Sequence, residues 1–132
     1  MPTIDKLAWI CVQDRKVLFV RSKNKDLFYT VGGKREGGES DEQALQREVQ
    51  EEVAVALLPD TISYLTTFKA QAHAQPEGVM VQLKCFTADH QGDLTPSAEI
   101  AELIWLASAD KDKTTTPGAM VLDWLKEHDL ID

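Results

Sequence analysis

Gly32-Gly33-Lys34-Arg35-Glu36-Gly37-Gly38-Glu39-Ser40-Asp41-Glu42-Gln43-Ala44-Leu45-Gln46-Arg47-Glu48-Val49-Gln50-Glu51-Glu52-Val53-Ala54-Val55 reads as a glycine-rich loop running into an amphipathic helix. Ser40 is a helix N-cap, and Gln43 three residues later completes a capping box. Asp41 and Glu42 fall in the first turn, where the helix dipole favours acids. The pattern predicts a helix from Asp41 to Val53. Leu45, Val49 and Val53 form its apolar stripe. Glu48, Glu51 and Glu52 stand at i, i+3 and i+4, within one arc of roughly 100° at about 100° per residue. Ala44 shares that arc and is small enough to leave room.

Like charges at these spacings each cost roughly 0.2–0.5 kcal/mol on an isolated helix. A bound divalent cation reverses the sign, and hard oxygen donors select magnesium, calcium or manganese over zinc. On the helix alone, a solvated acidic face remains the plainer reading. The preceding loop supplies glycines that let backbone groups approach a ligand. It also holds Lys34 and Arg35, which pair with phosphate oxygens or serve as surface charge. The loop is not a phosphate-binding P-loop, because the frame Gly33, four residues, Gly38 puts Glu39 where the lysine belongs. The alternating Asp/Asn loop of a calcium-binding EF-hand is absent too.

Outward from this stretch, Lys6 to Gln13 and Val17 to Arg21 read as strands of a hairpin about Asp14-Arg15-Lys16. Leu27 to Val31 reads as a short strand ending at Gly32-Gly33, followed by a loop to Glu39. Ile62 to Ala74, Val79 to Ala88 and Glu102 to Leu106 follow as strands. Pro117 opens a last helix to about His128, with a core stripe of Met120, Val121, Trp124, Leu125 and His128. Trp9, Phe28 and Tyr29 are core aromatics or stacking partners for a base. This order predicts a mixed sheet with helices on both faces, an α/β class protein.

The 132 residues fit one domain, residues 1–132, able to bury roughly two-thirds of its unfolded surface. The net charge of −8 argues against nucleic-acid polymers, which a basic face must bind. No apolar run is long enough for a membrane helix, so no membrane partner is expected. The opening Met1-Pro2-Thr3-Ile4-Asp5-Lys6 does not read as a signal peptide. Cys11 and Cys85 lie far apart in apolar runs and read as two free buried thiols, which places the chain in the cytoplasm. Arg15, Lys16, Arg21, Lys23, Lys25, Lys34 and Arg35 all precede the acidic segment that starts at Glu36, a first hint of a phosphate-plus-metal site.

Gly33, five residues, Glu39, seven residues, Arg47, Glu48, an apolar Val49, one residue, Glu51, Glu52, one residue, Ala54 and Val55 together resemble the box of the Nudix hydrolase family, in its MutT-like form. At average residue usages of roughly 7% the matched polar and glycine positions coincide about once in ten million windows, too rarely for chance. The resemblance implies a Nudix-type α/β/α sandwich with a mixed β-sheet. It implies a hydrolase that cuts a phosphoanhydride bond with Mg2+, or Mn2+ as substitute. The metal would be held by Glu48, Glu51, Glu52 and the carbonyl of Gly32. Arg47 would orient the glutamates, Glu39 included. Lys34 and Arg35, beside Glu39, would serve the substrate phosphates. Glu99 matches an extra catalytic or metal-binding acid of some relatives, with Glu102 as its competitor. The general base stays open among Glu51, Glu52 and Glu99.

The expected substrate is a nucleoside or deoxynucleoside triphosphate, normal or oxidised, cut to the monophosphate and pyrophosphate. The alternatives are a nucleotide sugar, ADP-ribose or a dinucleoside polyphosphate, or a non-enzymatic Nudix-fold nucleotide sensor. The resemblance also allows a homodimer. Two positions depart from the family pattern. Ala54 stands where the box has glycine, and Val31 where many relatives have proline. A left-handed cap at Ala54 would cost roughly 1–2 kcal/mol, so a helix that runs further is the other option.

Overall fold

The computed structural model describes residues 3–132. Met1 and Pro2, part of the stretch read against a signal peptide, lie outside the described residues. The chain forms strands β1 (Thr3–Trp9), β2 (Val12–Gln13), β3 (Lys16–Ser22) and β4 (Tyr29–Lys34), then helix α1 (Asp41–Val53) and strand β5 (Ala56–Leu57). Strands β6 (Ser63–Gln71), β7 (Met80–Thr87), β8 (His90–Gln91) and β9 (Ile100–Leu106) follow, and helix α2 (Thr116–Glu127) comes last.

Side chains alternate between the faces of a strand. Consecutive apolar residues therefore need cover on both sides. Leu7, Trp9, Leu18, Val20 and Val31 pack with Ala44, Leu45, Val49 and Val53 of α1. Their neighbours Ala8, Ile10, Val17 and Phe19 pack on the other face with Val121, Leu122 and Leu125 of α2. The result is the expected α/β/α sandwich. Its seven-stranded sheet runs β2-β3-β4-β1-β7-β6, with β9 also paired to β3. The sheet is mixed, since β1 pairs with β7 in parallel and with β4 antiparallel. No helix among the described residues is long and apolar enough to cross a membrane.

Three differences from the sequence reading matter. The hairpin is confined to Val12–Gln13 against Lys16–Val17. Asp14 and Arg15 carry positive φ values of 51° and 60°, as a two-residue primed turn requires. The chain breaks at Ile10–Cys11, and Lys6 to Trp9 pairs with β4 and β7 instead of with β3. Second, β4 does not stop at Gly32-Gly33 but runs through both glycines to Lys34. Gly32 has φ 143°, and a Cβ there would lie 1.9 Å from the carbonyl oxygen of Leu7, so only glycine lets β1 and β4 pair this closely. Third, Leu122 joins the core of α2 while His128 lies exposed and stacks on Trp124.

β4 is shared along its length. Tyr29 and Thr30 pair with β3, whereas Val31 to Lys34 pair with β1. The switch of partner opens a cleft beside the glycines, next to the C-terminal half of α1.

Candidate active site

Helix α1 begins as its sequence demands. Ser40 Oγ accepts from the Gln43 N–H at 3.1 Å, and Gln43 Oε1 accepts from the Ser40 N–H at 2.9 Å. It ends at Ala54, which adopts the left-handed cap with φ 61° and donates its N–H to the Gln50 carbonyl. The alanine thus takes the strained conformation, and the helix does not run on. Val31, the other departure, is fully buried against α1 and pairs with Trp9.

This register turns two of the three box glutamates toward the glycine strand. Glu48 packs against Gly33, where a Cβ would stand 2.5 Å from its Oε2. Glu52 Oε1 accepts the Gly32 N–H at 2.9 Å. Burial pushes the Glu52 carboxyl up to about 8, opposed by the Gly32 N–H and reinforced by the charges of Glu48 and Glu51. Burial also raises Glu48, against the pull of Arg47. Glu51 is half-exposed and shares Arg47 Nη1 with Glu48, at 3.4 Å.

Arg47 is the hub of the polar face. Its Nε and Nη2 donate to the two oxygens of Glu39 at 2.8 and 2.9 Å. It donates further to Glu48 at 3.0 Å and to the Lys34 carbonyl at 3.0 Å, which ties the loop to the helix. The Arg47 hydrogen bonds, with the Glu36 N–H, hold the Glu39 carboxyl down at about 2.

The donor set suits a hard divalent cation. Two carboxylates one helical turn apart lie partly buried against the glycine strand, and both are driven toward protonation by burial and by neighbouring carboxylates. An added cation relieves both. No group of three or more His, Cys, Asp or Glu is gathered at metal-holding distance among the described residues. The Gly32 amide is engaged with Glu52.

The other candidates separate cleanly. Lys34 lines the cleft. Arg35 does not: it pairs with Asp5 at 3.3 Å and with Asp41, which also meets Lys84. Glu102 is committed to Arg21 at 2.7 Å. Glu99 is exposed on a loop held to the end of α1, through Thr95 N–H to the Val53 carbonyl and Ser97 N–H to the Glu52 carbonyl. Of the three aromatics, Trp9 is fully buried with its indole N–H on the Ala88 carbonyl, and Phe28 is core. Tyr29 alone faces the cleft, edge-on to His73 at 5.9 Å between ring centroids.

The cleft has two parts that share lining residues. A cavity of about 280 Å3 lies beside Glu52, Gly32 and Gly33. A second of about 300 Å3 is lined by Ile4, Tyr29, Lys34, His73 and Val81, among others. Lys6, Lys25, Tyr29, Thr30 and Leu83 line both. Sequence reasoning singled out neither Lys6 nor His73. The one visible sign was a lysine next to the apolar run Leu7-Ala8-Trp9.

The sandwich, the glycine strand and the acid-bearing helix define a class. The chain belongs to the Nudix family: the NUDIX domain model matches residues 4–125. It is a hydrolase of pyrophosphate bonds, and enzymes of this family generally work with divalent metal ions. Solved structures resemble it over nearly their whole length. The E. coli ORF135 protein is 26% identical with a TM-score of 0.73, covering 96% of this chain and 92% of that one. A MutT Nudix hydrolase from Burkholderia pseudomallei is 20% identical with a TM-score of 0.74, covering 93% and 98%. A Nudix hydrolase from Nitrosomonas europaea is 20% identical with a TM-score of 0.75, covering 99% and 92%. No curated protein matches the sequence.

Proposed function

We propose that the chain, as one domain over residues 1–132, is a magnesium-dependent pyrophosphohydrolase of nucleoside triphosphates, normal or oxidised. Its products are the monophosphate and pyrophosphate, and Mn2+ substitutes for Mg2+. The observation that carries the reading is continuity. The cavity beside Glu52 shares Lys6, Lys25 and Tyr29 with a second cavity that adds Lys34 and His73, and Glu48 packs against Gly33, which lines the first. The two buried thiols support a reducing compartment, the cytoplasm.

Glu48, Glu51 and Glu52 are the residues that would hold the cation, with the Gly32 carbonyl as a further oxygen. When bound, such a cation neutralises phosphate charge and acidifies a water. The chain's own groups do the rest. Arg47 positions Glu48 and Glu51 and fixes the loop through Glu39 and the Lys34 carbonyl. A carboxylate of the cluster takes the proton of the attacking water. The water oxygen forms the new bond to phosphorus, and the bridging P–O bond breaks toward the leaving phosphate. Lys34 offsets the charge that develops there. Glu99, on the loop that Ser97 ties to the Glu52 carbonyl, would be a further acid, and Tyr29 offers a face to the base. Arg35 is given no role at phosphate, because Asp5 and Asp41 occupy it.

A pyrophosphate-release screen with Mg2+ tests this. It covers normal and oxidised triphosphates, nucleotide sugars, ADP-ribose and dinucleoside polyphosphates, with Glu51→Gln/Glu52→Gln alongside. Turnover of a triphosphate, lost in the double variant, is the expected result. Turnover only of a diphosphate-linked substrate moves the assignment to that class. Nucleotide binding without any turnover moves it to a sensor.

A further inference from the structure

The cleft holds more positive charge than the box motif accounts for. Lys6 and Lys34 are direct cross-strand partners at the end of the β1–β4 ladder. Their side chains therefore leave the same face of the sheet, an arrangement that destabilises a strand pair. Lys25 approaches from the β3–β4 connection and lines both cavities together with Lys6. Among the described residues, the ion pairs engage Arg15, Arg21, Arg35, Arg47, Lys84, Lys111 and Lys113. None of the three cleft lysines has a carboxylate within that distance. In a chain of net charge −8, with acids in excess, three unpaired ammonium groups around one cavity are a costly choice.

Lys6 is the sharpest case. It is half-buried on a central strand, between Asp5 and the fully buried Leu7. Burial and the neighbouring Lys34 push its amine below the usual lysine range, while Glu52 and Glu48 pull the other way. An apolar side chain would suit this position without that cost. An anion in the cleft reverses the balance.

We propose that Lys6, with Lys25 beside it, is a substrate-phosphate-binding residue at the throat between the two cavities. It holds a non-bridging oxygen of the phosphate that links the carboxylate recess to the chamber of Tyr29 and His73. This rests on the hydrolase reading above. The competing role is purely internal, with Lys6 as counter-charge for Glu52. The two roles predict different losses. A phosphate ligand is missed by the substrate, and a counter-charge is missed by the cation site.

The experiment uses Lys6→Met, Lys6→Arg and Lys25→Met in the full chain. It measures steady-state kinetics on the triphosphate, Mg2+ affinity by calorimetry, and cation-free binding of inorganic tripolyphosphate. Lys6→Met is expected to raise KM about ten- to a hundredfold, the range of one charge-assisted hydrogen bond, with kcat little changed. Mg2+ affinity stays as in the wild type, tripolyphosphate binding weakens, and Lys6→Arg recovers most of it. Lys25→Met, on an exposed segment, shows a smaller loss of the same kind and carries the test if Lys6→Met fails to fold. Unchanged KM and tripolyphosphate binding overturn the proposal. So does a loss confined to Mg2+ affinity and kcat. Should the wild type hydrolyse no triphosphate while tripolyphosphate binding still depends on Lys6, the substrate reading fails and the phosphate contact stands.

Discussion

Helices α1 and α2 cover opposite faces of one sheet, and both depart from the local rules at their C-terminal ends, α1 the more heavily. α2 has Glu127 beside a basic residue in its last turn and a left-handed Asp129 just after it. Thr115 caps α2, Pro117 sits in its first turn, and Lys126 lies in the last turn near the negative end of the dipole. α1 starts equally well, with its capping box and two acids in the first turn. Its last turn then carries Glu51 and Glu52 and no base, against the dipole, and closes on a left-handed alanine. Breaches of local rules gather where function is served. In α1 they fall on the turn that carries Glu52, which lines the cleft.

The widest separation of the two helices is expected from their acids. Glu52→Gln should lower kcat by about a hundred- to ten-thousandfold in the pyrophosphate-release assay, the span of a lost acid–base or cation-holding carboxylate. Asp123→Asn on α2, whose partner is the exposed Lys111, should leave turnover unchanged. Equal effects would remove the contrast.

Metal removal with pH sharpens it next. Folded Glu52 titrates near 8, whereas an unfolded glutamate titrates near 4.5. Between those values the folded chain keeps a proton that the unfolded chain has released. Stability of the cation-free protein should therefore fall as pH rises from 5 to 8, by up to a few kcal/mol. Mg2+ should restore it, and more strongly at the higher pH, because the cation displaces that proton. Thermal melts in chelator and in Mg2+ read this directly. In Glu52→Gln the chelator slope should flatten, and a slope that persists would place the titrating group elsewhere.

Glycines on the two faces give a matched pair of smaller effects. In Gly33→Ala the new Cβ meets the Glu48 carboxylate, the end of a flexible side chain. The variant should fold, with Mg2+ affinity lowered about tenfold as Glu48 is pushed aside. In Gly118→Ala the Cβ would fall 1.9 Å from Thr114 Oγ1, whose hydroxyl donates to the Phe28 carbonyl. That variant should lose about 1–3 kcal/mol of stability and keep its Mg2+ affinity. Calorimetry and urea unfolding separate the two outcomes.

Smallest of all, Ala54→Gly should stabilise the protein by about 1 kcal/mol by relieving the left-handed cap, with activity unchanged. Unaltered stability would mean that the cap is not strained. A lower kcat would mean that the rigid alanine helps to hold Glu52.

How much of this was legible in advance divides along sequence distance. The boundaries of α1, its capping box, its core stripe and the spacing of Glu48, Glu51 and Glu52 follow from i, i+3 and i+4 relations, which a helix converts directly into neighbours. Glu39 and Arg47 belonged to the same readable pattern, and the structure joins them by two hydrogen bonds. The strands were visible as apolar runs, but their partners were not. Nothing near Lys6 in the sequence says that Gly33 and Lys84 will flank Leu7. The glycines read as a loop because glycine disfavours strands when only propensity is weighed. Their use in β4 depends on β1 arriving close enough to exclude a Cβ.

The sequence by itself therefore determined the family, the two-sided sandwich and the acidic face of α1, since periodicity and short spacing encode them. Tertiary structure alone decided which charges are spent and which are free. Asp5 and Asp41 occupy Arg35, Arg21 occupies Glu102, and Arg47 bridges Glu48 and Glu51. It also set Lys6 across from Lys34 on the wall of the cleft. Each of those outcomes rests on a through-space distance between a charged group and its surroundings, and residues remote along the chain set that distance.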